Sequence, residues 1–302
     1  MRWEDYRQSD NVFNRRGEGG GAGAGFGGAG GGMLAFMLLR MIFSRFGIGG
    51  VVVAVGGFLL LSAVGLNPLT AGGQGVSGGS GGQPVTSRYD AEVGAILATT
   101  EDVWSEAFAE AGSRYPAPEL NFFAGGINTG GCGYAGSEVG PFYCPADREI
   151  YIDTRFFDQL ASQLGAPGDF ARAYVVAHEV GHHIQTITGV SDQVRQAQAR
   201  ARSRAEANEY SVRMELMADC LAGVWAARAQ GLRGFALEEG DIQEGLRAAA
   251  MIGDDTLQRR AGRQANAESF THGTSEQRQR WLSIGYRTGD PDACDTLSAR
   301  EL

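Results

Sequence analysis

The pattern of apolar and polar positions predicts a small sheet followed by a long run of helices. Residues 89–112 carry apolar side chains near helical spacing, which predicts an amphipathic helix. Residues 149–153 alternate polar and apolar side chains as a half-buried strand does, and residues 119–123 predict a second short strand. Beyond residue 154 the pattern predicts helices at about 155–164, 168–188, 191–212, 213–230, 240–260 and 275–287. A small sheet followed by helices is typical of the α+β class.

An uncharged apolar run at residues 46–66 has a different character from the rest of the chain. It is long enough to cross the ~30 Å hydrocarbon core of a bilayer, which predicts one transmembrane helix. A cleaved signal peptide and a buried core helix are the alternatives, but a signal peptide's apolar region is shorter and lies nearer the N-terminus. Glycine-rich residues 17–32 and 71–84 flank the run and are typical of flexible spacers.

The basic residues around this run predict its orientation. Arginines such as Arg40 and Arg45 precede it, and no Lys or Arg follows until Arg88. The positive-inside rule then places the N-terminus in the cytoplasm and residues 67–302 outside it. We therefore expect a single-pass protein of the inner membrane with residues 67–302 in the periplasm. The expected parts are a cytoplasmic segment (1–45), the transmembrane helix (46–66), a Gly/Ser-rich linker (67–88) and the domain (89–302).

The sequence His178-Glu179-Val180-Gly181-His182 is an H-E-x-x-H motif within the predicted helix 168–188. Residues four apart lie on one helical face, so the two imidazoles of His178 and His182 can bind one metal ion. Glu179 lies beside the first ligand, where it can act as the general base for a zinc-activated water. The motif predicts a catalytic site with one zinc ion.

A catalytic zinc site needs a third protein ligand. The third histidine of metzincins is absent, because Thr188 stands at that position. Glu215 and Asp219 lie four residues apart on the next long apolar helix. We interpret Glu215 as the third ligand and Asp219 as an acceptor for the N–H of a ligating imidazole, His178 being the expected one. The alternative is an exposed acidic pair on an amphipathic helix.

This arrangement resembles the gluzincin group of zinc peptidases, in which E-x-x-x-D follows H-E-x-x-H on the next long helix. Further stretches resemble the neutral zinc metallopeptidase family of bacterial membrane proteins. The resemblance implies a zincin-like fold and a peptidase activity, and it implies that a strand near the zinc binds extended peptide. The stretches are Met1–Trp3, Ser9–Val12, Arg15–Gly17, Cys132–Ala135, Gly140–Pro145, Tyr151–Asp153, Ala177–Gln185, Phe270–Ser275 and Gln277–Arg278.

Two further histidines receive different interpretations. His183 follows His182 and therefore points about 100° away on the helix, which favours a packed or solvated side chain. His272 lies in a Thr-His-Gly-Thr-Ser loop before the last helix, where it can donate to the oxyanion of a tetrahedral intermediate. A loop histidine that only bonds backbone is the alternative. Arg278 could pair with Asp219 or with another buried acid.

The four cysteines suggest two disulfides, because the domain that holds them is expected outside the cytoplasm. The preferred pairing is Cys132–Cys144 with Cys220–Cys294, since the first pair closes a short local loop. Metal binding is the rival interpretation, and no C-x-x-C spacing supports it.

The predicted function is that of a membrane-anchored zinc metalloendopeptidase. Its expected partners are a peptide or protein substrate in the cell envelope and the lipid bilayer. The formal net charge of −9 argues against nucleic-acid binding. A non-catalytic, zinc-stabilised envelope adaptor or chaperone is the alternative from another class, and a zinc amidase acting on cell-wall peptides would use the same ligands.

Overall fold

The larger sheet in the computed structural model, which describes residues 1–18 and 87–302, contains four strands. Three strands run parallel and the fourth, β5, pairs antiparallel with β6 at one edge. A separate antiparallel hairpin contains β3 and β4. The sheet order is β1-β2-β6-β5, and the strands are β1 (Val12–Asn14), β2 (Glu119–Phe122), β3 (Gly126–Asn128), β4 (Tyr134–Gly136), β5 (Phe142–Cys144) and β6 (Glu149–Ile152).

Helices form most of the remaining described chain, so the α+β class with a small sheet is confirmed. They belong to a core that also contains the apolar side chains of β2 and β6. In chain order the helices are α1 (Asp90–Glu110), α2 (Arg155–Ser162), α3 (Asp169–Ile187), α4 (Val190–Arg200), α5 (Arg204–Ala229), α6 (Asp241–Met251), α7 (Asp254–Arg260) and α8 (Ser275–Thr288).

Helices α5 and α8 pack with their backbones in close contact. A Cβ atom on Gly285 would lie 1.9 Å from the carbonyl oxygen of Cys220, and one on Gly223 would lie 2.2 Å from that of Leu282. Glycine is therefore required at both positions, because a real Cβ atom does not approach backbone so closely. Cys220 in this contact is bonded to Cys294 beyond the end of α8. The two helices form a rigid support behind α3.

The predicted boundary between helices 191–212 and 213–230 was wrong. The chain instead breaks at Ala201–Ser203, and α5 runs without interruption through residues 212 and 213. The reason is a cap: the Ser203 side chain accepts a hydrogen bond from the backbone N–H of Glu206. The carboxylate of Glu206 accepts in turn from the backbone N–H of Arg202. A capped start at this point favours one long helix.

The predicted helix 240–260 is two helices, α6 and α7, separated at Ile252 and Gly253. Gly253 lies against the start of α8, where a Cβ would be 2.5 Å from the backbone nitrogen of Ser275. This close approach leaves no room for a Cβ at position 253. The chain turns there, and α7 begins at the next residue, Asp254. The Gly253 signal is weak in the sequence because a lone glycine does not always end a helix.

Residues 1–18 belong to the same compact unit as residues 87–302. From the sequence they were expected in a separate segment (1–45) that ends before the domain (89–302). The difference has a physical reason, because β1 is only three residues long and pairs with a strand more than a hundred residues away. No local pattern signals such a pairing.

Among the residues that the structure describes, no helix combines the length and apolar character needed to cross a membrane. The predicted transmembrane helix at 46–66 and both glycine-rich spacers lie outside the described residues, apart from the first positions of the 17–32 spacer and the end of the predicted linker 67–88. The bilayer anchor therefore stays a prediction.

Candidate metal centre

Three predicted ligands come together between α3 and α5. The Nε2 atom of His178 lies 3.2 Å from Glu215 Oε2, and the Nε2 atom of His182 lies 3.5 Å from Glu215 Oε1. One ligand atom from each of the three side chains lies within 4.8 Å of the others. Two imidazole nitrogens and one carboxylate that surround a common point are the donor set of a catalytic zinc site.

Close packing of α3 against α5 brings the ligands within reach of one ion. A Cβ on Gly181 would lie 3.0 Å from both the Cα and the carbonyl oxygen of Ala218, so glycine lets the two backbones approach. Gly181 is the last residue before the second ligand of the H-E-x-x-H motif, and Ala218 follows Glu215 by one turn. The small residues within the two motifs therefore set the distance between the ligands.

Asp219 orients His178, as the sequence analysis predicted. Its Oδ1 atom lies 2.8 Å from His178 Nδ1, so the ring nitrogen donates to the carboxylate and Nε2 is left facing Glu215. The same oxygen accepts a hydrogen bond of 2.5 Å from the hydroxyl of Tyr174, one turn before His178 on α3. Tyr174 was missed by the sequence analysis, although its i−4 spacing from His178 was a usable signal.

Arg278 completes this buried network from α8. Its Nε donates to Asp219 Oδ2 at 2.8 Å, and one terminal nitrogen donates to Asp219 Oδ1 at 2.9 Å and to the Tyr174 hydroxyl at 3.0 Å. The structure therefore selects Asp219 among the acids that the sequence left open. Arg278 and Asp219 are 2% and 0% exposed, so each charge depends on the other for compensation.

Gln185 holds the Nδ1 atom of His182 as Asp219 holds that of His178. Its Oε1 atom lies 2.9 Å from His182 Nδ1, and its Nε2 donates to the backbone carbonyl of Met214 at 2.6 Å. The bond to Met214 fixes which end of the amide faces the ring, so His182 donates from Nδ1 and presents Nε2 to Glu215. Gln185 was not assigned a contact from the sequence. Its i+3 spacing from His182 was the signal for this contact.

The charges of the centre are strongly coupled. Burial lowers the pKa of His178, but the Asp219 charge and hydrogen bond outweigh burial and raise that pKa to about 9. Burial raises the pKa of Glu215, but the two imidazoles outweigh it and hold the pKa well below its usual value. For Asp219, burial is outweighed by Arg278 and His178, and the pKa falls to about 2. The two carboxylates are therefore anionic, and a metal ion must compete with protons for the imidazoles.

Glu179 lies on the cavity side of the ligands. It lines a cavity of about 490 Å³ together with all three of them. Burial raises the pKa of the Glu179 carboxyl, against the opposing charges of His182 and His178. A carboxylate with a raised pKa is a stronger base than one in water, which suits proton abstraction. The walls elsewhere are largely apolar and include Val139, Pro141, Phe142, Phe156, Val175, Ile252 and Leu257.

His272 lines the same cavity, and Asp254 holds its loop. The Oδ2 atom of Asp254 accepts backbone hydrogen bonds from Thr271, His272 and Gly273 at 2.7, 2.6 and 3.1 Å. Its other oxygen lies 3.4 Å from His272 Nδ1, and this interaction raises the pKa of His272. Asp254 was not identified from the sequence, because it lies eighteen residues before His272, at the start of α7.

His183 is buried and bonded away from the proposed ligands, in agreement with the packed alternative. One ring nitrogen lies 2.6 Å from the Pro116 carbonyl oxygen and the other lies 3.2 Å from the Tyr143 hydroxyl. Burial lowers the pKa of His183 to about 4, so the ring is neutral. It donates to Pro116 and accepts from Tyr143, and it takes no part in the metal centre.

All four cysteines form disulfides in the preferred pairing, Cys132–Cys144 and Cys220–Cys294. The first closes the loop that leads into β5, which lines the cavity through Phe142 and Tyr143. The predicted strand 149–153 is β6 and lies inside the sheet, whereas β5 is the edge strand next to it. Three-residue β5 was too short to be predicted from alternation.

Comparison with known proteins identifies the family of the chain. The family profile described as "putative neutral zinc metallopeptidase" matches residues 1–297. The Escherichia coli K12 protein YpfJ is 43% identical over 98% of this chain and 99% of its own length. The Mycobacterium bovis protein Mb2605 is 47% identical over 62% of this chain and 65% of its own length. No solved structure matches the chain. The chain therefore belongs to this neutral zinc metallopeptidase family, which confirms the resemblance seen in its motifs.

Proposed function

We propose that the protein is a zinc metalloendopeptidase that hydrolyses peptide bonds with Glu179 as general base. The observation that carries the proposal is the position of Glu179 in the same cavity wall as His178, His182 and Glu215. A purely structural zinc site is closed by its protein ligands and needs no base beside it. Membership of a zinc metallopeptidase family supports the same function.

His178, His182 and Glu215 would hold the zinc ion. Bound there, zinc supplies Lewis-acid chemistry, lowering the pKa of a water molecule and polarising the substrate carbonyl. The protein's contribution is to fix the three donor atoms before the metal arrives. Asp219 and Gln185 do so by accepting from the Nδ1 atoms of the two rings, which directs both Nε2 atoms toward Glu215.

Glu179 moves the proton. Its carboxylate accepts a proton from the attacking water as the oxygen bonds to the peptide carbonyl carbon. It then delivers that proton to the nitrogen of the leaving amine as the C–N bond breaks. The raised pKa of Glu179 suits both steps, because the group must take up the proton and release it again within one turnover.

His272 stabilises the negative charge that develops on the carbonyl oxygen. A donor of this kind contributes about 2.7–4 kcal/mol to transition-state stabilisation. Asp254 positions the loop through its three backbone contacts, and its hydrogen bond raises the pKa of His272. Asp254 is therefore a positioning residue for His272.

The substrate is an extended peptide that lies along the cavity. β5 is an edge strand of the described sheet, and its residues Phe142 and Tyr143 line the cavity. A peptide in extended conformation can pair with the backbone of such an edge while its side chains enter the neighbouring pocket. The apolar walls of that pocket favour an apolar substrate side chain next to the bond that is cleaved.

The test is the variant Glu179→Gln, with Glu106→Gln on the surface of α1 as a matched control. Zinc content and cleavage of a mixed peptide library are measured for wild type and both variants. We expect Glu179→Gln to retain one zinc and to lose at least about 10³-fold in hydrolysis, while the control is unchanged. Full activity in Glu179→Gln would refute the mechanism. Absence of peptide cleavage by the zinc-loaded wild type would favour the non-catalytic adaptor, or an amidase if cell-wall peptides alone are cut.

A further inference from the structure

The first residues of the chain are anchored at the start of the metal-binding helix. The amino group of Met1 donates to Asp169, the first residue of α3, at 2.9 Å and to Asp241 in α6 at 3.2 Å. Next to it, Arg2 exchanges two backbone hydrogen bonds with Ala236, at 2.9 and 3.1 Å. Met1 is 6% exposed and belongs to the main core. The segment is therefore packed inside the domain from its first residue.

A second group of contacts joins the segment to the acidic residues of α1. The Tyr6 hydroxyl donates to Asp102 at 2.6 Å, and the Arg7 guanidinium bonds both Asp102 and Glu101. Ser9 and Asn11 donate to Glu101 at 2.5 and 2.8 Å. Ser9 and Glu101 are buried, so their polar groups would be left without these bonds if the segment were elsewhere.

The third connection between residues 1–18 and the domain is the pairing of β1 with β2 in the larger sheet. β1 runs parallel to β2, with Val12 opposite Leu120 and Asn14 opposite Phe122. The Arg16 guanidinium then forms a two-pronged ion pair with Asp90 at 2.6 and 2.8 Å and lies over the Phe122 ring. The Arg16 side chain is only 5% exposed. Separation of residues 1–18 from the domain would expose an edge of the sheet and leave buried charges unpaired.

These contacts are incompatible with a bilayer between the two parts. A single span at 46–66 with a cytoplasmic N-terminus would hold residues 1–18 and the domain on opposite sides of a ~30 Å hydrocarbon core. Hydrogen bonds of about 3 Å cannot form across that distance. The predicted orientation would place Arg7 and Arg16 in the cytoplasm, yet both pair with carboxylates of the domain.

We infer that residues 1–18 and 87–302 lie on the same side of any membrane that this chain enters. The sequence between them then crosses the bilayer an even number of times or not at all. An apolar stretch at 33–43, interrupted by Arg40, precedes the run at 46–66, so the composition offers more than one apolar stretch. The disulfides Cys132–Cys144 and Cys220–Cys294 indicate that the shared side is an oxidising compartment.

The inference is tested by thiol labelling of the full chain in its own membrane. All four native cysteines are paired, so a single introduced cysteine is the only free thiol. Asp10→Cys reports on the N-terminal segment and Gln264→Cys on the domain, since both positions are exposed. Spheroplasts are treated with a membrane-impermeant maleimide before and after permeabilisation, and denatured samples show that each thiol is competent to react.

We expect both thiols to react before permeabilisation, because the domain contains disulfides. Protection of both thiols until permeabilisation would also support the shared side, while placing that side in the cytoplasm. Labelling of one thiol with protection of the other would overturn the inference and support the predicted single transmembrane span at residues 46–66. Neither variant alters the metal centre, so the result is independent of the proposed activity.

Discussion

Arg278 and Asp219 form a buried ion pair that joins α8 to α5 directly behind His178, a proposed metal ligand. The guanidinium contacts both carboxylate oxygens, at 2.8 and 2.9 Å, and one of those oxygens also accepts from His178 Nδ1. A residue from the last long helix therefore fixes the orientation of a ligand on α3. Because burial would otherwise neutralise Asp219, the arginine keeps it anionic and able to hold the imidazole.

Replacement of Asp219 tests this relationship. Asp219→Asn removes the charge that orients His178, and we expect zinc affinity to fall by about 10–100-fold. It also leaves Arg278 buried without a counter-charge, which costs about 3–5 kcal/mol of unfolding free energy. Chelator competition measures the affinity, and chemical unfolding of the metal-free protein measures the stability. Unchanged zinc affinity would show that Asp219 does not orient the ligand.

A second prediction concerns Asp254 and the pH dependence of hydrolysis. Asp254→Asn removes the charge that raises the pKa of His272, so the pKa moves back toward about 6.5. The protonated imidazole is the stronger donor to a developing oxyanion, so activity falls as pH rises through the pKa of His272. The alkaline limb of the kcat profile should therefore move to lower pH in Asp254→Asn, with a lower kcat and a nearly unchanged KM. Asp192→Asn, at an exposed position, is the control.

If Asp254 had only a structural role, Asp254→Asn would reduce the amount of folded enzyme, while the alkaline limb of the kcat profile stayed at the same pH. Active-site titration with a tight-binding inhibitor that carries a zinc-binding group counts the competent sites, so a loss of folded protein can be separated from a loss of kcat. An unshifted alkaline limb with normal site occupancy would contradict the proposed role of His272 as the donor to the oxyanion.

The contact between α5 and α8 gives a prediction for stability. Gly285→Ala would place a methyl group 1.9 Å from the carbonyl oxygen of Cys220, so the helices must separate. We expect a loss of about 3 kcal/mol or more of unfolding free energy, because backbone cannot yield as a flexible side chain does. Gly231→Ala is the matched control, since its Cβ would meet its nearest neighbour at an ordinary 3.5 Å. Thermal unfolding of both variants gives the comparison, and equal melting temperatures would contradict the close approach.

Those parts of the site that depend on local spacing could be predicted from the sequence. His178, Glu179 and His182 follow from one motif on one helix, and Glu215 with Asp219 follows from a matching motif on the next long helix. Each pair uses the one-turn periodicity of a helix, which a sequence displays directly. The structure brings the three ligand side chains together as that periodicity predicts.

The supporting contacts could not be predicted, because they join residues far apart in the chain. Arg278 had several possible acidic partners, and only the packing of α8 on α5 selects Asp219. Asp254 reaches the His272 loop because α6 ends at Met251 and the chain turns at Gly253. The pairing of β1 with β2 likewise depends on burial of the whole N-terminal segment, which a three-residue strand does not signal.

X-ray absorption spectroscopy of the zinc-loaded protein tests the central claim most directly. The account predicts one zinc per chain, with two imidazole nitrogens at about 2.0–2.1 Å and a carboxylate oxygen at about 2.0–2.2 Å. The spectrum of Glu215→Ala should lose the carboxylate contribution, and that variant should bind zinc more weakly. Sulfur ligands, or an unchanged spectrum and affinity in Glu215→Ala, would contradict a metal centre built from His178, His182 and Glu215.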